Sequence, residues 1–185
     1  MKRHLIVFGC AALLLTNCGP AWKVLPEGES ASGKNYHVQL PSGWMRNTKN
    51  QEALVISRDG NLLQTIEIRE ASHYDAFKKI NETSTPDILP SELAELTLAL
   101  VKNELPASRV ALLENKPTQI DGHQGYRMHF TFENSEGLLY EGIITGFAAG
   151  QNVFMIKYYA PGLYFFPRDL PVYEALVQSF QVDRN

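Results

Sequence analysis

The stretch YRMHFTFE (residues 126–133) alternates large apolar side chains with polar ones, and this alternation decides the fold. A repeat of two residues is typical of a strand that buries one face. Two more apolar runs follow at residues 138–148 and 153–160, each after a short turn that contains glycine. Three consecutive strands with short turns predict an antiparallel meander.

The segments before this meander predict further strands. YHVQL (residues 36–40) alternates in the same way and is stopped by PSGW (residues 41–44). Apolar runs at residues 53–57 and 62–69 flank RDGN (residues 58–61), a sequence that favours a hairpin turn. A further short strand is predicted at residues 110–114, so the sheet should have about six or seven strands.

Two helices are predicted around these strands, with a short helical turn near residues 75–80. The first spans residues 91–105, where Ser91 can cap the first turn and the leucines of SELAELTLAL (residues 91–100) lie on one stripe. The second begins at Asp169 as its cap and carries apolar residues on one face as far as Phe180. This order predicts an α+β domain with helices packed on a central antiparallel sheet.

The first 18 residues resemble the signal and lipobox of bacterial lipoproteins. Lys2 and Arg3 precede an apolar run that ends in LTNC (residues 15–18). The run is shorter than the roughly 20 residues that a membrane-spanning helix needs. The resemblance implies cleavage before Cys18 and acylation of that cysteine, although Asn17 stands where the family usually has Gly, Ala or Ser.

Two other interpretations of the leader remain open. Cys10 is a second candidate for acylation, but little apolar sequence precedes it, and an ordinary signal peptide without lipid is the other alternative. Cleavage before Cys18 removes Cys10 and leaves one cysteine in an oxidising compartment, which acylation would explain. Gly19 in place of aspartate implies, by the same resemblance, sorting to the outer membrane with the domain facing the periplasm.

The chain is therefore divided into three parts. Residues 1–17 are predicted to be the signal peptide, residues 18–33 a lipidated N-terminus and flexible tether rich in Pro, Gly and Ser, and residues 34–185 one globular domain. A flexible tether of this length reaches roughly 20 Å. We expect the domain to stay close to the bilayer.

The charges argue against nucleic acid as a partner. The chain has 17 basic and 20 acidic residues, and removal of Lys2 and Arg3 with the leader changes the net charge from −3 to −5. The charges are scattered, and no basic patch is visible in the sequence.

The layout of residues 34–183 resembles the PsbP-like fold. The resemblance depends on LPSGW (residues 40–44), GHQGYR (residues 122–127) and LVQSF (residues 176–180). It implies an α/β/α sandwich. The family includes photosystem subunits, a Ran-binding import factor and many bacterial envelope lipoproteins, and it supplies no common catalytic residues or cofactor.

Catalytic and metal-binding patterns are weak. His37 and His129 lie on the polar faces of predicted strands and would form a two-histidine site if those strands paired, but their spacing is not that of a zinc motif. Glu133, Glu136 and Glu141 surround one hairpin, where exposed carboxylates are common. No nucleophile elbow or phosphate-binding loop is present. We predict neither an enzyme, a cofactor nor a metal.

The aromatic segment at residues 158–166 is the main candidate for binding. Its side chains either cover the sheet beneath the last helix or form a patch for a partner, for which Tyr159, Tyr164, Phe165 and Phe166 are the candidate residues. The first hypothesis is a lipid-anchored, non-catalytic envelope protein that binds or helps assemble another protein. A module for a small apolar ligand or lipid is the second, and a hydrolase the third.

Overall fold

The computed structural model describes residues 21–61, 63–105 and 109–184, so the leader and Cys18 lie outside the described residues. The strands are β1 Trp22–Val24, β2 Ser30–Ser32, β3 Tyr36–Gln39, β4 Met45–Asn47, β5 Leu54–Ser57, β6 Thr65–Ser72, β7 Ala111–Ile120, β8 His123–Glu133, β9 Leu139–Ala149, β10 Asn152–Pro161 and β11 Gln181–Val182. The helices are α1 Pro90–Glu104 and α2 Phe165–Ser179, and a 3₁₀ turn spans Lys78–Ile80.

Eight strands form one antiparallel sheet in the order β1-β4-β5-β6-β10-β9-β8-β7. The predicted meander is confirmed, since β9 pairs with β8 on one side and with β10 on the other. The sheet is larger than the six or seven strands expected, because the short strands β1 and β4 extend it at one edge. The α+β class is confirmed.

A second, three-stranded sheet has the order β11-β3-β2. The end of the chain returns to β3, where Gln181 pairs with His37 and Val182 with Tyr36. On the other side of β3, residues of β2 pair in antiparallel register, so that Ala31 faces Val38. This small sheet places β3 against α2 instead of in the large sheet.

The predicted tether over residues 18–33 is corrected from Trp22 onward. β1 joins the large sheet and β2 joins the small one. Leu25 and Ala31 are buried at 1% and 4% exposure, and burial of these apolar side chains explains why the segment folds with the domain. Pro26 and Gly28, two of the residues that suggested a tether, lie in the turn between the two strands, where Gly28 has φ +74°.

The large sheet separates two hydrophobic cores. The first core lies between the sheet and the layer formed by α2 and the small sheet, with Phe154, Tyr173 and Phe180 among its largest side chains. The second lies under α1 and contains Tyr126, Met128, Phe130 and Phe132 of β8 and Leu93, Leu100 and Val101 of α1. The alternation in YRMHFTFE therefore marks a strand with one buried face, as predicted, because every second residue is buried.

Both helix starts differ from the prediction. α1 begins at Pro90, and the Glu92 carboxylate accepts a 3.0 Å hydrogen bond from the Leu89 backbone N–H, so Ser91 is not the cap. Pro90 suits the first position of a helix because no N–H is needed there. α2 begins at Phe165, which places Asp169 inside the helix, fully buried. No helix of the described residues is long and apolar enough to cross a membrane.

Candidate contact surface

Two of the four aromatic residues proposed for binding belong to the cores. Phe166 is buried in the first core, with its ring stacked on Tyr158 at 5.2 Å and on His129 at 5.4 Å. Tyr159 is partly buried on the opposite side of the sheet, where its ring meets Phe130 at 5.9 Å. The prediction that these two side chains form a contact surface is therefore corrected, because both are packed inside the fold.

The other two residues lie at the start of α2. Tyr164 is 62% exposed, and the preceding Leu163 is 99% exposed. Phe165 is half-buried and packs against the first core. The aromatic segment thus has a buried part that completes the core and an exposed part, Leu163 and Tyr164, that faces solvent.

Most of the other exposed apolar side chains lie near this pair. Nine large hydrophobic residues are exposed in the described part of the chain, and six of them lie at one end of the four neighbouring strands β7 to β10. We call these six the end surface. They are Leu112, Leu113, Leu138, Leu139, Leu163 and Tyr164.

Strand register brings the six residues to the same end of the sheet. Leu112 at the start of β7 pairs with Phe130 near the end of β8, and Leu139 at the start of β9 pairs with Glu133 at the end of β8. The backbone N–H of Gly162 donates to the Leu139 carbonyl at 3.1 Å, which places the Leu163 loop beside the start of β9. Four adjacent strands span roughly 15 Å.

The loop that carries Leu163 and Tyr164 is held by hydrogen bonds and by a cation. The hydroxyl of Tyr158 lies 2.9 Å from the carbonyl oxygen of Phe165 and 3.1 Å from that of Phe166. Burial raises the pKa of Tyr158, so the hydroxyl keeps its proton and donates. The Arg168 guanidinium lies over the rings of Tyr164 and Phe165, at 5.4 and 5.0 Å from their centroids.

Arg168 is in turn positioned by the fully buried carboxylate of Asp169. Its Nε donates to Asp169 Oδ2 at 3.0 Å, and its Nη2 also contacts Asp59. Asp169 accepts two more hydrogen bonds, from Arg58 Nη1 at 3.1 Å and from Gln64 Nε2 at 3.0 Å. The β5–β6 turn and the start of α2 are therefore fixed to each other around one buried charge.

The β8–β9 turn has its own local support. The side-chain oxygen of Asn134 accepts hydrogen bonds from the backbone N–H of Glu136 at 3.0 Å and of Leu138 at 2.9 Å. The Asn134 N–H donates to the Leu138 carbonyl at 3.0 Å. Leu138 and Leu139 are thus presented by a turn with defined geometry.

The two histidines that were considered as a possible metal site, His37 and His129, are not brought together. His37 lies on β3 of the small sheet, where Asp183 Oδ1 and Gln181 Oε1 lie 2.9 and 2.6 Å from its two ring nitrogens. His129 lies on β8 of the large sheet, and its Nε2 is 2.8 Å from Glu141 Oε2. Among the described residues, no group of three or more His, Cys, Asp or Glu side chains is arranged to hold a metal ion.

The same contacts bear on the hydrolase hypothesis. His129 and Glu141 form a pair. Ser42 and Ser135, the serines of two turns predicted from the sequence, have no hydrogen bond to a histidine among the described residues.

A serine does contact a histidine elsewhere, where Ser84 Oγ lies 2.8 Å from His73 Nδ1, but the other ring nitrogen of His73 lies 3.3 Å from the Gly150 carbonyl oxygen and not beside a carboxylate. The histidine–carboxylate pair and the histidine–serine pair are therefore two separate contacts and not one triad.

Sequence reasoning missed a buried lysine on the α1 side of the sheet. Lys157 is 3% exposed, and its Nζ lies 3.4 Å from Glu67 Oε1 and 3.3 Å from Glu104 Oε2. Glu104 also pairs with Lys79 at 2.7 Å and with Arg69 at 3.9 Å. Burial acts to raise the pKa of Glu104, but Lys157 and then Lys79 outweigh burial and hold the pKa below its usual value. The cluster joins the end of α1 to the sheet.

Two surface clefts accompany these elements. One, of about 430 Å³, lies above the Lys157 cluster and is lined by Glu67, Arg69 and Glu104 among others. The other, of about 550 Å³, is more apolar and lies between LPSGW (residues 40–44) and the outer side of α2. The first cleft lies between β6 and the end of α1 but is lined by charged and polar side chains, and the second opens beside α2, so neither of these two is the enclosed apolar pocket that the second hypothesis requires.

No protein-family model matches the chain, and no curated protein matches it by sequence. Solved structures do match. Cyanobacterial PsbP (CyanoP) from Synechocystis aligns with a TM-score of 0.55 and 11% identity over 95% of this chain and 98% of its own. The structure also matches LpqN of Mycobacterium tuberculosis (TM-score 0.55, 13% identity, 88% and 91% of the two chains). It matches the Ran-binding protein Mog1p of Saccharomyces cerevisiae (TM-score 0.55, 11% identity, 83% and 94%).

The protein has the PsbP-like fold. At these identities the likeness concerns the fold alone. A further match, a structure from Bacteroides thetaiotaomicron, covers 89% of this chain, and the chain spans about half (49%) of that protein's length.

The three motifs that suggested the PsbP-like fold have structural roles in it. Trp44 of LPSGW is buried at 2% exposure. Asp121 and Gly122, both with positive φ, form the two-residue turn that leads into the GHQGYR strand, as a type I′ hairpin requires. Phe180 of LVQSF stacks on Tyr36 at 4.9 Å and so joins the end of α2 to the small sheet.

Proposed function

We propose that the protein is a lipid-anchored, non-catalytic protein of the bacterial cell envelope that binds another envelope protein through the end surface. The anchor is acylated Cys18, in the outer membrane in preference to the inner one. The observation that carries the binding role is the concentration of exposed apolar side chains at one end of the sheet, led by Leu163 and Tyr164.

The anchor is supported by the likeness of residues 1–18 to a lipoprotein leader. Because β1 begins at Trp22, four Cα–Cα steps separate the acylated residue from the folded domain, a span of at most about 15 Å. The domain would therefore stay at the membrane surface, closer than a tether reaching to residue 33 would allow.

The binding role is supported by exposure and by rigidity. Leu163 is 99% exposed, so its apolar surface contributes almost nothing to the stability of the monomer. Burial of that surface against a partner would contribute favourable free energy to binding. Arg168, Tyr158 and Asn134 hold the loops in position, and a loop that is already ordered loses less conformational entropy on binding.

The non-catalytic character is supported by the pairing of the buried charges. Lys157 and Asp169 each contact oppositely charged side chains, which is typical of buried charges in a protein interior that has no catalytic use for them. Among the structural neighbours, LpqN is described as involved in cell envelope biogenesis and Mog1p as Ran-binding. Both descriptions fit the proposal.

Substitution at Cys18 tests the anchor. Cys18→Ser is expected to move the protein from the membrane fraction to the soluble periplasmic fraction, because the thiol that receives the lipid is lost. The matched control is Cys10→Ser, which should leave the protein membrane-bound. If the Cys18→Ser protein stays on the membrane while the Cys10→Ser protein is released, the lipid is attached to Cys10 and the proposed anchor is wrong.

Site-specific photocrosslinking tests the surface. A photoreactive amino acid at position 163 is expected to yield one defined adduct in intact envelopes. The same amino acid at Tyr74, which is 70% exposed and follows the far end of β6, should not yield it. Tyr164→Ala should weaken the adduct several-fold, because an exposed aromatic at an interface is a common hot spot. Tyr74→Ala is the matched control.

The proposal fails if the adduct forms equally from positions 163 and 74, or if Tyr164→Ala leaves it unchanged. Tyr164 is the better choice for substitution than Phe165, because Phe165 packs on the first core and its loss would also destabilise the fold.

A further inference from the structure

Carboxylates surround the apolar residues of the end surface. Glu133, Glu136 and Glu141 lie at the β8–β9 hairpin, next to Leu138 and Leu139. Glu133 lies 3.8 Å from Arg109, and Glu141 lies 2.8 Å from His129. For Glu136, which is exposed in the turn, the described residues provide no cation.

The charge of Glu136 acts on a residue that adjoins the end surface. Burial is the main cause of the raised pKa of the neighbouring Tyr140, and the Glu136 carboxylate is the second cause. An uncompensated negative charge therefore lies within electrostatic reach of the side chains that a partner would cover.

This charge pattern discriminates among possible occupants. In a two-fold dimer the end surface would meet its own copy. The cations that the described residues place at this end, Arg109 and Arg168, already pair with carboxylates of their own chain, so the copy would bring Glu136 no cation in excess. An anionic lipid surface would be repelled by the same carboxylates. A protein segment that carries cations beside apolar side chains complements both the apolar side chains and the negative charge of this surface.

We propose that the end surface receives a segment of another protein in which apolar side chains alternate with Lys or Arg. The apolar side chains cover Leu138, Leu163 and Tyr164, and a cation pairs with Glu136. This inference rests on the proposed binding function and specifies the chemistry of its partner.

Model peptides provide the probe. The full chain carrying Cys18→Ser is titrated with a synthetic peptide of Leu and Lys, and separately with a peptide in which every Lys is replaced by Glu. The Leu–Lys peptide is expected to shift the NMR signals of Leu138, Leu139, Leu163 and Tyr164, and the Leu–Glu peptide to leave them in place.

A pair of matched variants isolates the charge. Glu136→Gln should weaken the binding of the Leu–Lys peptide about 2- to 5-fold, in the range of an exposed ion pair. Glu82→Gln removes an equally exposed carboxylate near the 3₁₀ turn and should leave binding unchanged. Added salt should reduce the difference between the two variants by screening the pair.

Three results overturn the inference. The first is equal binding of both peptides, or shifts that map away from the end surface. The second is a concentration-dependent dimer, seen by sedimentation, whose formation shifts the same signals. The third is protection of these residues by vesicles rich in anionic lipid. If the crosslink from position 163 is formed and the Leu–Lys peptide fails, the partner-binding function stands and its cationic chemistry is rejected.

Discussion

At the scale of one residue, Asp169 illustrates how a buried charge positions a surface. Its carboxylate is fully buried and bonded to Arg58, Gln64 and Arg168. Removing it takes one hydrogen-bond acceptor from each of these groups, a change that typically costs about 1–3 kcal/mol. Arg58 and Arg168 are partly exposed, and Arg168 and Gln64 keep their bonds to Asp59. For Asp169→Ala we therefore expect a loss of about 2 kcal/mol in the free energy of unfolding, measured in urea.

The control for Asp169 is an aspartate that lacks this environment. Asp87 is exposed, and Asp87→Ala should change the free energy of unfolding by about 0.5 kcal/mol or less. Equal losses in the two variants would show that the buried network contributes nothing of its own. The sequence indicated a helix cap at Asp169 because two of its partners, Gln64 and Arg58, are 105 and 111 residues away, a separation that no local pattern reveals.

At the scale of the element, sequence periodicity identified β8 to β10 and both helices, whereas β7 was predicted only at residues 110–114 and extends to Ile120. β8 to β10 are ten or eleven residues long, which is enough for the alternation to be recognised. β1, β2, β4 and β11 are two or three residues long and exist because of the strands they pair with. The exposed leucines of the end surface were not predicted for a related reason, since exposure depends on which neighbours cover a side chain.

The terminal strand β11 should respond to pH. Hydrogen bonds to Asp183 and then to Gln181 raise the pKa of His37 above its usual 6.5. A raised pKa in the folded state means that the stabilisation is fully present below about pH 6.5 and is lost as the pH rises through the higher value. We expect the hydrogen-exchange protection factor of the Val182 amide to fall over that interval.

Asp183→Asn tests the cause of this pH dependence. The variant should return the pKa of His37 toward 6.5, which an NMR titration measures, and should reduce the change in protection of the Val182 amide. The prediction is wrong if the protection of the Val182 amide does not change with pH although His37 loses its proton over the same interval. In that case the charge of His37 does not hold β11 in place.

At the scale of the whole molecule, β10 joins the two cores. Phe154, Ile156 and Tyr158 point into the first core, and Val153 and Met155 point into the second. Since one central strand contributes side chains to both cores, loss of packing in one core should also destabilise the other. The molecule should therefore unfold in a single cooperative transition.

A substitution in the second core, monitored from the first, tests this coupling. Leu100 of α1 is fully buried, and Leu100→Ala should cost about 2–5 kcal/mol through the cavity it leaves. Trp44 reports on the first core, and Trp22→Phe makes it the single tryptophan of the chain. The fluorescence of Trp44 and the far-ultraviolet circular dichroism should both shift to the same lower urea midpoint. If the urea midpoint of the Trp44 fluorescence is unchanged while that of the circular dichroism falls, the two sides of the sheet unfold separately. The stability of the end surface would then depend on the α2 side alone.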